Sequence, residues 1–126
     1  YGRNLGIAFQ LVDDAIDYVS DEATMGKGVG DDFRDGKMTL PVILAYARGD
    51  EADRTFWQAA IAGDRVADED LARAIDLVGS TGALADTLER ARIYARRAID
   101  ALAAFPSGKA KSALAEAAEF AVARAY

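Results

Sequence analysis

The sequence predicts an all-α protein, and three observations carry that prediction. Apolar residues recur at three- and four-residue steps along most of the chain, the spacing of one helical face. Glycines, and only two prolines, fall between these stretches, where helices stop. No segment alternates apolar and polar residues as a half-buried strand does; Met38 to Ala45 is apolar but continuous and marked by Pro41. With 126 residues and 52% hydrophobic content, the chain is large enough for one packed domain, 1–126, and too apolar for disorder.

The first helix is predicted from Tyr1 to about Ser20, on the spacing of Leu5, Ala8, Phe9, Val12, Ile16 and Val19. Asp21 to Gly36 follows as a glycine-interrupted loop, long enough to suggest a functional one. Thr39 reads as an N-cap with Pro41 in the first turn of a helix over Leu40 to Arg48, stopped by Gly49. Helices over Asp50 to Ala62 and Asp68 to Val78 stop at Gly63 and Gly79. Gly82 opens a longer helix reaching about Phe105. Leu84, Leu88, Ala91, Ala95, Ala98, Ile99 and Leu102 form its apolar stripe, with Arg90, Arg92, Arg96 and Arg97 off that face. Pro106-Ser107-Gly108 breaks it, and Lys109 to Arg124 forms the last helix.

Composition narrows the chemistry. There is no cysteine and no histidine, so disulfides, thiolate metal sites and triads built on either residue are excluded. What remains is oxygen ligands and lysines, suited to hard cations and phosphates. A net charge of −6 without a basic run argues against nucleic acid, and fits a soluble cytoplasmic protein. No apolar run approaches the roughly 20 residues that span a bilayer. The chain opens on Tyr1 inside a helix, without an initiator methionine, and reads as the later part of a longer protein.

Gln10-Leu-Val-Asp13-Asp14-Ala-Ile-Asp17 concentrates the candidate chemistry. On a helix Asp13 and Asp17 share a face, Asp14 lies beside them, and Gln10 sits one turn back. A solvated acidic face is the ordinary outcome for an isolated DDxxD. Here, however, the carboxylates interrupt an apolar helix, whose Ala8, Phe9, Val12, Ile16 and Val19 should face protein. That turns the carboxylates toward a cavity. Magnesium binds through a few carboxylates completed by water and substrate phosphates. A glycine-rich loop follows, Gly26-Lys27-Gly28-Val29-Gly30-Asp31-Asp32-Phe33-Arg34-Asp35-Gly36-Lys37, with amides and lysines that suit a diphosphate.

GIAFQLVDDAIDY followed by GKGVGDDFRDGKMTLPVILAY resembles the trans-isoprenyl diphosphate synthases, and most of all the long-chain branch that makes octaprenyl- and decaprenyl-type tails of respiratory quinones. The closing ALAAFPSGKAKSALAEAAEFAVARAY is similar to the end of that branch. The resemblance implies the C-terminal part of the helical isoprenoid synthase fold, in an enzyme that is dimeric when whole. It implies Asp13, Asp14 and Asp17 as magnesium ligands and Lys27 and Lys37 on the allylic diphosphate. Phe9 and Gln10 would flank the reacting allyl group, and Asp32 would be structural support. The implied reaction condenses isopentenyl diphosphate with an allylic diphosphate.

The first aspartate-rich motif and the isopentenyl diphosphate site have no match in these residues. Product length is therefore not legible, and the chain alone is expected to be inactive. A terpene cyclase of similar fold is disfavoured by the GK…DGKMTLP loop, and a non-catalytic partner subunit by the intact second motif. Trp57, Phe56, Tyr18 and Tyr46 read as packing residues, and the Arg90–Arg97 group as a solvated face pairing with Glu89 and Asp86.

Overall fold

A computed structural model describes residues 1–19, 29–63 and 67–125, and every regular element among them is helical. The helices are α1 (Gly2–Ile16), α2 (Asp31–Arg34), α3 (Leu40–Arg48), α4 (Glu51–Ile61), α5 (Asp68–Ser80), α6 (Ala83–Asp100) and α7 (Lys109–Ala123), with a 3₁₀ turn at Ala101–Ala104. Gly26, Lys27 and Gly28, the first three residues of the expected phosphate loop, lie outside the described residues.

Ala8, Val12 and Ala15 are completely buried, and they form the inward stripe of α1. Phe9 was expected on that stripe but is 48% exposed. At about 100° per residue it rotates off the line through 8, 12 and 15 and shares a face with Asp13, one turn ahead. The helix also stops earlier than its periodicity suggests. Tyr18 N donates to Ala15 O and Val19 N to Ile16 O, both at 3.0 Å, tightening the end into i→i−3 bonds. Asp17 therefore sits in a turn just past the helix, not one helical turn beyond Asp13.

The chain divides into two compact units, Asp14–Asp86 and Tyr1–Asp13 with Thr87–Tyr126. The first is built on aromatics. Phe56 meets Trp57 edge-on at 5.3 Å, and Phe33 meets Trp57 edge-on at 6.3 Å and stacks on Phe56 at 6.2 Å. Tyr18, Val42 and Val78 are buried with them. Phe33 explains α2, a four-residue helix inside the expected loop: one buried ring anchors a segment too short to show a period. The second unit buries small residues, Ala8 of α1, Ala91, Ala95 and Ala98 of α6, and Ala118 of α7.

Local chemistry explains most boundaries. Asp50 and Asp53 form a reciprocal capping box, Asp53 N donating to Asp50 Oδ1 at 2.9 Å and Asp50 N to Asp53 Oδ2 at 3.1 Å. Thr39 holds the N-cap position of α3 in extended backbone, but its side chain makes no cap hydrogen bond. Gly79 does not stop α5; the stop is Gly82, whose φ of +74° is the left-handed conformation. α6 ends at Asp100, short of Phe105, and tightens into the 3₁₀ turn. Asp86 pairs with Arg48 instead of the arginines of α6, while Arg92 and Arg96 do pair with Glu89.

Two glycines give opposite expectations. Gly36 has φ +69°, and a Cβ there would lie 2.9 Å from the Ile61 carbonyl oxygen. Gly36→Ala is expected to destabilise by about 1–3 kcal/mol. A Cβ on Gly79, inside α5, meets nothing within 4 Å, so Gly79→Ala should stabilise, by about 0.5–1 kcal/mol. Urea unfolding of the two variants checks the contrast; a Gly36→Ala protein as stable as its parent would refute it.

Candidate functional site

The candidate residues fall in both units. In the unit formed by Tyr1–Asp13 and Thr87–Tyr126, α1 presents Phe9, Gln10 and Asp13 on its exposed side. Arg124, at the C-cap of α7, reaches both Phe9 and Asp13 on this face. Its NH1 donates to Asp13 Oδ1 at 2.7 Å, and NH2 donates to the Phe9 carbonyl at 2.8 Å. Its guanidinium carbon stands 3.8 Å from the Phe9 ring centroid. Beside this stack lies an apolar groove of about 380 Å³, lined by Leu5, Phe9, Ala117, Phe120, Ala121 and Arg124 among others. Asp13 is not in that lining; its side chain is 43% exposed, next to the groove.

In the unit Asp14–Asp86, Asp17 is held by the start of α2. Its carbonyl accepts from Gly30 N at 3.1 Å, and its Oδ2 accepts from Asp32 N at 2.7 Å. The bond to the Asp32 amide makes the Asp17 carboxylate a cap supplied from outside the helix. Asp32 in turn lies 3.6 Å from Lys37 Nζ, and its carbonyl accepts from Lys37 N at 2.9 Å. Asp32 thus ties a candidate metal ligand to a candidate phosphate lysine, which gives its supporting role a geometry. Lys37 keeps a side chain that is 63% exposed. Asp14 is half-buried.

Electrostatics follow from this crowding of carboxylates. The Asp17 pKa is raised above the ordinary value of 3.8, first by burial and then by the negative charges of Asp32 and Asp31, against the lowering effect of the Asp32 amide. Tyr18, 1% exposed, has its hydroxyl pushed above the usual phenol range by burial, and further by Asp17, Asp32 and Asp14. It is a neutral core residue.

A raised carboxylate pKa means that the folded state binds the proton more tightly than the unfolded chain. Ionised Asp17 therefore opposes folding above its folded pKa, and the penalty vanishes below 3.8. Asp17→Asn keeps an oxygen for the Asp32 amide and removes the charge. In a chelator, its melting temperature should exceed the parent's at neutral pH. The gap should close as pH falls to 3.8 and below. A gap that widened on acidification would contradict this sign.

The donor set suits a hard cation, since every candidate ligand is a carboxylate oxygen. Among the described residues no group of three or more carboxylates converges into a closed metal cage. Sequence reasoning missed Arg124. Its pairing with Asp13 spans 111 residues and leaves no local signal.

A family model described as polyprenyl synthetase matches residues 1–78. The octaprenyl diphosphate synthase of Haemophilus influenzae is 40% identical across 100% of this chain, which spans 38% of that relative. A short chain isoprenyl diphosphate synthase of Methanothermobacter thermautotrophicus is 39% identical, again over 100% of this chain and 38% of its own length. The crystal structure of a polyprenyl synthase from Caulobacter crescentus CB15, complexed with calcium and isoprenyl diphosphate, superposes with a TM-score of 0.90 at 48% identity, covering 100% of this chain and 38% of that one.

Proposed function

Because the chain belongs to the polyprenyl synthetase family, we propose that it supplies the second aspartate-rich motif of a trans-prenyl diphosphate synthase. The whole enzyme would condense isopentenyl diphosphate with an allylic diphosphate into a long all-trans polyprenyl diphosphate for quinone side chains. The observation that carries the proposal is the family match over residues 1–78, which contains both the Asp13–Asp17 motif and the segment ending at Lys37. Relatives named for octaprenyl and for short-chain products match almost equally well, so this segment speaks to the shared reaction more than to product length.

Asp13, Asp14 and Asp17 are the residues assigned to magnesium. When bound, that ion neutralises charge on the departing diphosphate. The chain's own groups do the rest. Lys37, exposed and anchored through Asp32, offers positive charge to the diphosphate, and Lys27 is assigned the same task by the family resemblance. Gln10 offers an amide oxygen where positive charge develops on the allyl group. The Phe9 ring and the apolar groove beside it keep water from the carbocation. The allylic C–O bond breaks first to give that cation and diphosphate; the double bond of isopentenyl diphosphate then adds to it, and the proton lost from the resulting cation passes to the released diphosphate. No histidine or cysteine is needed, which agrees with a chain holding neither.

The test is product analysis of the full-length protein given isopentenyl and allylic diphosphates with magnesium. A linear polyprenyl diphosphate is the expected product. A cyclic hydrocarbon would assign a terpene cyclase, and no magnesium-dependent turnover would assign a non-catalytic partner subunit. A cytoplasmic homodimer belongs to the same proposal, and sedimentation of the full-length protein checks the assembly. Among the described residues, no helix is long and apolar enough to cross a membrane.

A further inference from the structure

Arg124 spends its whole guanidinium on one small area. Nε donates to Ala121 O at 3.0 Å on its own helix, NH2 to Phe9 O at 2.8 Å, and NH1 to Asp13 Oδ1 at 2.7 Å. Its face covers the Phe9 ring at 3.8 Å. The arginine is the more buried member of the ion pair, with its side chain 24% exposed against 43% for Asp13.

Stability does not explain this arrangement well. A partly exposed ion pair contributes about 0–1 kcal/mol. Geometry explains it better. A planar fork with three nitrogens engaged and one face stacked leaves the Asp13 carboxylate few alternative rotamers. It occupies one carboxylate oxygen and leaves Oδ2 for another ligand. The same stack holds the Phe9 ring at the edge of the apolar groove.

We propose that Arg124 is a positioning residue for the diphosphate site, fixing the Asp13 carboxylate and the Phe9 ring so that the C-terminal end of α7 sets divalent-cation affinity. The proposal rests on the assignment of Asp13 as a cation ligand. Ligand carboxylates depend on the groups that orient them, and removing such a partner lowers metal affinity by about 10- to 100-fold. Lysine cannot substitute, because a single ammonium cannot make the three-way fork or the planar stack.

The experiment uses the full-length protein with inorganic diphosphate as the anion and Mn²⁺ as the cation, free Mn²⁺ being followed by electron paramagnetic resonance. Arg124→Ala is expected to weaken Mn²⁺ binding at least about tenfold. Arg124→Lys should weaken it comparably, although it keeps the charge and leaves the melting temperature near the parent's. In an Asp13→Ala background, Arg124→Ala should add less than about a twofold further change, because the two residues act as a unit.

Parental Mn²⁺ affinity in Arg124→Lys would overturn the proposal, as would a full Arg124 effect in the Asp13→Ala background. If Arg124→Ala fails to fold, the lysine variant carries the test alone. Unchanged binding in Asp13→Ala would overturn the ligand assignment itself and the proposal with it. A normal loss in Asp13→Ala with unaffected Arg124 variants would overturn the Arg124 role alone.

Discussion

Asp13→Ala in the full-length protein is expected to lower the proposed prenyl-transfer turnover by about 10²–10³-fold, equivalent to about 3–4 kcal/mol of transition-state stabilisation. Breaking the allylic C–O bond concentrates negative charge on the diphosphate, and groups that meet that charge matter more in the transition state than in the ground state. Asp13 is assigned to hold the cation that does so. The change also frees Arg124 from its carboxylate, leaving a guanidinium beside the site without its partner. That stray positive charge attracts diphosphate, so substrate binding should suffer less than turnover. Steady-state kinetics with labelled isopentenyl diphosphate separate the two quantities. A loss below about tenfold in turnover would remove Asp13 from the machinery.

Trp57→Ala is expected to have the largest effect on stability, about 3–5 kcal/mol. The indole is 1% exposed and wedged against Phe56 and Phe33, so its loss leaves a cavity bounded by rigid rings. One term works the other way: the indole Nε1 is buried without a hydrogen-bond partner among the described residues, and deleting it relieves that penalty. The net change should fall toward the lower end of the range, and Trp57→Phe should be milder still. Urea midpoints of the two variants measure this. The expected consequence reaches the site, because Phe33 belongs both to this core and to α2, whose Asp32 amide holds Asp17. Loosening the aromatic cluster should therefore weaken cation binding before the protein unfolds globally.

Local sequence recorded what local chemistry decides. The helix Leu40–Arg48 was legible to the residue, because Pro41 in its first turn and Gly49 after its end are sufficient signals. The buried roles of Trp57, Phe56 and Tyr18 were legible as well. Distant partners were not. α1 looked longer because Ile16 and Val19 continue its period, but backbone and carboxylate groups of Asp17 are engaged by Gly30 and Asp32. The residues of α2 sat among glycines, and one buried Phe33 cannot produce a pattern. Phe9 matched the apolar period yet faces Arg124, because a ring that stacks on a guanidinium looks like a core residue in sequence. In the proposed site, residue types were readable and their orienting partners were not.

The two hydrogen bonds that Asp17 receives from Gly30 and Asp32 bear on how this family tolerates insertions and deletions. They join positions 17 and 30–32 directly, so the two ends of the interval are pinned to each other. Lengthening a pinned interval adds only about 0.6 kcal/mol per doubling in chain entropy. Selection on its length should accordingly act through the diphosphate role proposed for Lys27, while folding itself exerts little pressure. Synthases that differ in this interval are expected to share melting temperatures and to diverge in diphosphate affinity.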